Sequence, residues 1–162
     1  MFRYIDDRTN SLFGIQDSIN ILDSRLDDET KQDIFNNNIC LIASTGPGTL
    51  FENTHGVVEN LIVIDMTLVS DLLRLTPHEI SALILHEVGH KLNRAPTDQS
   101  ALKEFYADDY ARSKGFGVHL KEGLKRYVAV IDAHTNNTRC FFRSLERQEQ
   151  ILASLNSRIS RI

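Results

Sequence analysis

The sequence predicts an α+β fold in a single domain over residues 1–162: a small, mostly antiparallel sheet of roughly three strands on one side, with four or five helices packed against it. Three observations lead there. Apolar residues recur at three-four spacing through several long stretches, which places them on one face of a helix. Two shorter runs rich in Ile, Leu and Val, residues 39–43 and 57–65, have the length of strands. A chain of 162 residues is one domain's length and buries roughly 70% of its unfolded surface, enough for a real core.

Taken in order, residues 2–5 form a short strand or a loose terminus. Leu12, Ile15, Ile19, Leu22 and Leu26 then mark an amphipathic helix. Asp27-Asp28-Glu29 is a charged turn or a helix restart reaching Phe35, and Asn36-Asn37-Asn38 breaks it. Residues 39–43 are a buried strand. Thr45-Gly46-Pro47-Gly48-Thr49 is a turn; without a following Lys-Ser/Thr, its two glycines do not make a phosphate loop. Residues 57–65 give two short strands or a hairpin. Thr76, Pro77 and Glu79 specify the start of the next helix: a capping hydroxyl, a first-turn proline whose missing N–H is harmless, and a reciprocal carboxylate. Ile80, Leu83, Ile84 and Val88 bury that helix, and residues 93–96 end it. His78 is a surface or capping residue.

A helix over about residues 98–113 stops at Gly115-Phe116-Gly117. Another, about 118–133, turns Leu120, Leu124, Tyr127, Val128 and Ile131 inward and leaves His119 exposed. Phe141, Leu145, Gln148, Leu152, Leu155 and Ile159 define a long amphipathic C-terminal helix. Core packing is its default role. Its length also suits self-association, contact with a partner, or a latch over a cleft.

Composition narrows the function. The net charge of −4 and the pI near 5.8 argue against a nucleic-acid binder, which needs basic surface to displace counterions. Cys40 and Cys140 stand a hundred residues apart with no Cys-x-x-Cys pair, so neither a zinc ribbon nor a disulfide framework is expected. No apolar run reaches the eighteen or so residues of a membrane span, and the first residues lack the apolar core of a signal peptide. The expected location is the cytoplasm, or a viral particle assembled there.

The chemistry is concentrated in His86-Glu87-Val88-Gly89-His90. Residues four apart share a helix face, so His86 and His90 converge on one ion, expected to be a single Zn²⁺. Glu87 lies beside the ion's open side, where it takes a proton from an activated water and returns it to a leaving amine. Gly89 costs a mid-helix position about 1 kcal/mol and needs a reason, either close backbone approach or a small-residue packing contact. A third His at the metzincin spacing is excluded, because Asn93 and Pro96 occupy the required positions. The next helix instead offers Glu104 and Asp108, four apart on a stripe shared with Ala101, Phe105 and Ala111. Carboxylates on an apolar stripe turn inward and need a metal or a partner. Glu104 is assigned as third ligand and Asp108 as acceptor from the free nitrogen of His86. Asp109 points roughly 100° away and is solvated.

On these motifs the stretch 61–111 resembles the gluzincin metallopeptidases, within them the group of CAAX prenyl endopeptidases, HtpX-type membrane proteases and small soluble minigluzincins. Leu61-Ile62-Val63-Ile64-Asp65, residues 68–75 and Thr76-Pro77-His78-Glu79 look like that group's strand, short helix and capped zinc helix. Glu104-Phe105-Tyr106-Ala107-Asp108 looks like its second-ligand helix. The resemblance implies a zincin-like domain with zinc between helix and sheet, His86, His90 and Glu104 as ligands, Glu87 as general base and Asp108 supporting His86. It implies hydrolysis of a peptide or protein substrate, held as an extra strand along an edge strand within residues 50–58, where Glu52 and His55 touch it or belong to an exposed loop. Members steady the oxyanion with a downstream His, Tyr or Arg; His134, Arg139 and Tyr127 are the candidates. Two other functions fit the same residues. One is a non-catalytic, metal-stabilised assembly protein; the other is a regulatory peptidase that cleaves a repressor.

Overall fold

The computed structural model describes residues 1–2, 4–5, 14–44, 60–65, 73–93, 96, 99–135 and 145–162. The leading amphipathic stretch becomes two helices, α1 (Ile15–Arg25) and α2 (Asp28–Asn36). Asp27 makes the division. Its backbone is extended and its carboxylate accepts the Thr30 N–H at 2.7 Å, capping α2. Of the charged turn or helix restart read at this triplet, the restart is the one present, and the described residues hold six helices where four or five were expected. Asn38, at φ 53°, takes the left-handed conformation that Asn tolerates and turns the chain into the sheet.

Among the described residues that sheet has three strands, β1 (Tyr4–Ile5), β2 (Ile39–Ser44) and β3 (Asn60–Asp65), in the order β1-β2-β3. All its pairings are parallel, which corrects the antiparallel expectation. The cause lies in the connections. Two helices separate β1 from β2, and residues 45–59 separate β2 from β3. Long crossovers return a chain to the starting end of the next strand, whereas antiparallel pairing is what tight hairpins produce. Residues 60–65 form one strand with Ile39 opposite Asn60 and Ser44 opposite Asp65. In β2, Ile39, Cys40 and Leu41 are buried in succession, the mark of a strand covered on both faces. In β3 burial alternates: Ile62 and Ile64 face the core while Val63 is 47% exposed.

The helix α3 (Pro77–Leu92) runs through the middle of the domain. Its capping box is complete: the Thr76 hydroxyl accepts from the Glu79 N–H at 3.3 Å and the Glu79 carboxylate accepts from the Thr76 N–H at 2.7 Å. Ile80, Ile84, Leu85 and Val88 are buried, and so are Ser81 and His86, so α3 is covered on most sides. Its first turn is tied to α1, where Ser18 Oγ donates to Pro77 O at 2.9 Å and Ser81 Oγ donates to Ser18 O at 3.0 Å. The expected short helix over 68–75 does not extend to its last residues, because Leu73 to Leu75 are non-helical and Arg74 is left-handed at φ 49°. Residues 45–49 and 50–58, with Glu52 and His55, lie outside the described residues.

Three helices complete the fold: α4 (Ser100–Ser113), α5 (Gly117–Thr135) and α6 (Leu145–Arg161). Gly115, at φ 83°, ends α4 in the left-handed conformation that only glycine adopts without strain. On α6, Leu155 is buried, and Ile151, Leu152 and Ile159 pack on the same core. The described part of the apolar stripe of the C-terminal helix is thus used within the chain. No described helix is long and apolar enough to cross a membrane.

Candidate metal centre

Two helices meet face to face at the centre, and a glycine sets their distance. A Cβ on Gly89 would lie 2.9 Å from the Ala107 Cα, the Ala107 carbonyl oxygen and the Tyr110 Cβ. No side chain fits there, so α3 and α4 approach as only glycine allows. Asn93, at the end of α3, fixes the same crossing by donating from Nδ2 to Tyr106 O at 2.8 Å.

The crossing brings His86 and His90 of α3 against Glu104 and Asp108 of α4. His86 Nε2 lies 3.1 Å from His90 Nε2 and 3.5 Å from Glu104 Oε2, and His90 Nε2 lies 3.4 Å from Glu104 Oε1. Ligands set tetrahedrally at about 2.0–2.1 Å around one ion stand about 3.3 Å apart. The three residues therefore fit a zinc-sized cation by separation and by donor chemistry, and among the described residues they are the group able to hold one. The carboxylate straddles the pair, one oxygen toward each ring.

Asp108 lies against His86. It is buried, and its Oδ1 lies 2.8 Å from His86 Nδ1, which donates to it and so directs the Nε2 lone pair at the site. Glu87 is exposed and lines a cavity of about 270 Å³ together with His86, His90 and Glu104. Val63, Ile64 and Asp65 of β3 line the same cavity, so the strand that borders the centre is β3, at an edge of the described sheet. Tyr127 of α5 also lines it, and burial pushes its phenol pKa up. Arg139 and the side chain of His134 lie outside the described residues. Asp109 is held by ion pairs to Arg112 at 3.0 Å and Arg161 at 2.8 Å rather than simply solvated. His78 and His119 are half-buried, their rings meet at 4.9 Å, and neither belongs to the group His86, His90 and Glu104.

Arg158 was not anticipated. It comes from α6, is only 8% exposed, and holds both carboxylates: Nε and Nη2 donate to Asp108 Oδ2 and Oδ1 at 2.8 and 2.7 Å, and Nη1 donates to Glu104 Oε2 at 2.7 Å. A signal was present in the sequence. Position 158 is three after Leu155 on the inward stripe of the last helix, and an arginine there has to meet buried acid.

These contacts set the charge states. Burial pushes the Glu104 pKa up, but hydrogen bonds from His86 and His90, with Arg158 alongside, hold it far below the carboxylate range. Asp108 is depressed in the same way, by His86 and Arg158 against its own burial. For His86, burial opposes the charge, but Asp108 and Glu104 outweigh it and raise the pKa above the ordinary imidazole value. No family model, curated protein or solved structure matches the chain.

Proposed function

We propose that the chain is a zinc-dependent peptidase of gluzincin type. The observation that supports this most is the convergence of His86, His90 and Glu104 beside an exposed Glu87 in one cavity. Zinc held by these three residues would supply a Lewis acid for the scissile carbonyl and a more acidic water at neutral pH.

The remaining work falls to the chain itself. Glu87 faces the cavity, takes the proton of the attacking water and passes it to the leaving amine. Asp108 keeps the His86 ring oriented and in one tautomer. β3 offers backbone groups to an extended peptide, and the Tyr127 phenol is available to a developing oxyanion. Arg158 counters the charge of Glu104 and Asp108, so the helices are joined here by ion pairs of their own. That weighs against a metal whose only role is to staple a scaffold, as does Glu87, which a purely structural site does not use.

The test is cleavage of a chromogenic peptide with and without chelator. Glu87→Ala should keep zinc and thermal midpoint while kcat/KM falls about 10²–10⁴-fold. A Glu87→Ala protein that cleaves as fast as the wild type ends the proposal.

A further inference from the structure

Glu104 is held differently at its two oxygens. Oε2, 3.5 Å from His86 Nε2, also receives the Arg158 Nη1 donor at 2.7 Å, while Oε1 faces His90 Nε2 at 3.4 Å. The guanidinium that makes this contact cannot drift, because its Nε and Nη2 are fixed on Asp108 at 2.8 and 2.7 Å and the residue is buried. We infer that Arg158 is a positioning residue: it occupies Oε2 so that Glu104 presents one oxygen, Oε1, to a divalent cation held with His86 and His90.

The consequence is a coordination number. A carboxylate with both oxygens free can bind a cation through either one or both. Chelation by Glu104 would bring a fifth donor atom against the water, crowding the one open corner that separates a catalytic site from a closed one. An arginine fork is suited to prevent this, since it holds a carboxylate directionally, where an ammonium on a flexible stem acts as a point charge. Arg158 also joins two carboxylates of α4 through one rigid plane, so the oxygen it occupies is set by the docking of α6.

The inference rests on metal binding at this centre, and its test reads coordination rather than turnover. The wild type, Arg158→Gln and Arg158→Lys proteins would be loaded with Co²⁺ alone, and the visible absorption measured per bound ion. Asp108 keeps His86 Nδ1 as a partner in both variants. The wild type should give the intense spectrum of a four-coordinate ion. In the variants Glu104 chelates, so absorption per bound ion should fall by about half or more, as a fifth donor atom predicts. Affinity should stay within about tenfold of the wild type, whereas loss of a merely supporting partner costs about 10–100-fold. X-ray absorption of the wild type loaded with Zn²⁺ serves as an arm that needs no variant to fold. A single carboxylate oxygen supports the inference; a chelating Glu104 overturns it. Identical Co²⁺ spectra in all three proteins, or loss of Co²⁺ from a folded variant, overturn it as well. A wild type that binds no Co²⁺ removes the metal-binding reading itself.

Discussion

Asp108 serves two neighbours with one carboxylate, accepting from His86 Nδ1 and from the Arg158 fork. Replacing it with Asn keeps the shape but turns one of its two acceptors into a donor, so either the His86 Nδ1–H or the Arg158 fork loses a partner and the guanidinium is short of a counter-charge. Asp108→Asn should weaken zinc binding about 10–100-fold. Calorimetric titration checks this, and an unchanged affinity would mean the His86 ring is held by packing alone. Residue by residue, the centre was legible where spacing carries chemistry. His86, Glu87 and His90 follow from one helix turn, and Glu104 and Asp108 from a stripe on which carboxylates sit among apolar positions. Arg158 was not, because its partners lie on a helix fifty residues upstream, and periodicity shows that a position faces inward without showing what it meets there.

Gly89 decides how closely α3 and α4 cross, since a Cβ there meets backbone atoms at 2.9 Å. Gly89→Ala gains helix propensity of about 1 kcal/mol but forces two backbones apart, and overpacking of this kind costs about 1–3 kcal/mol. Net destabilisation in chemical denaturation is expected, together with weaker zinc binding as Glu104 withdraws. Equal or higher stability would contradict the close crossing. Sequence alone allows close backbone approach or a small-residue packing contact at this glycine, and the geometry is close approach. On α6 two arginines separate clearly. Arg161, 42% exposed on its side chain, pairs with Asp109 and stacks over Phe105 at 4.5 Å, so Arg161→Ala should cost less than about 1 kcal/mol. Arg158→Ala removes one partner of a buried network and should cost about 3–5 kcal/mol. If the two cost the same in denaturant unfolding, the buried placement of Arg158 is wrong. Element boundaries were readable from caps and breakers, as at Thr76 and Asp27. Strand direction was not. It depends on the route of the connecting segments, and a short run of Ile, Leu and Val reads alike in either direction.

For the whole molecule, the ionisable groups of the centre oppose one another without metal. His86 binds its proton more tightly folded than unfolded, so its contribution is complete below about pH 6.5 and disappears as pH rises through its raised pKa. Glu104 and Asp108 release theirs more readily when folded, so they contribute above about pH 4 and fade as pH falls through their depressed values. The metal-free protein should therefore be most stable between about pH 4 and 6.5. Metal displaces the His86 proton and should carry that maximum to higher pH. Melting curves across pH, with chelator and with zinc, check this; a metal-free midpoint that climbs from mildly acidic to alkaline pH would contradict it.

The most direct measurement is the metal content and zinc affinity of the purified chain beside Glu104→Ala. One ion per chain, bound about a hundredfold or more weaker once the carboxylate is gone, is the result required of a centre built by His86, His90 and Glu104. A wild type without stoichiometric metal, or a Glu104→Ala protein that binds zinc equally well, would contradict it.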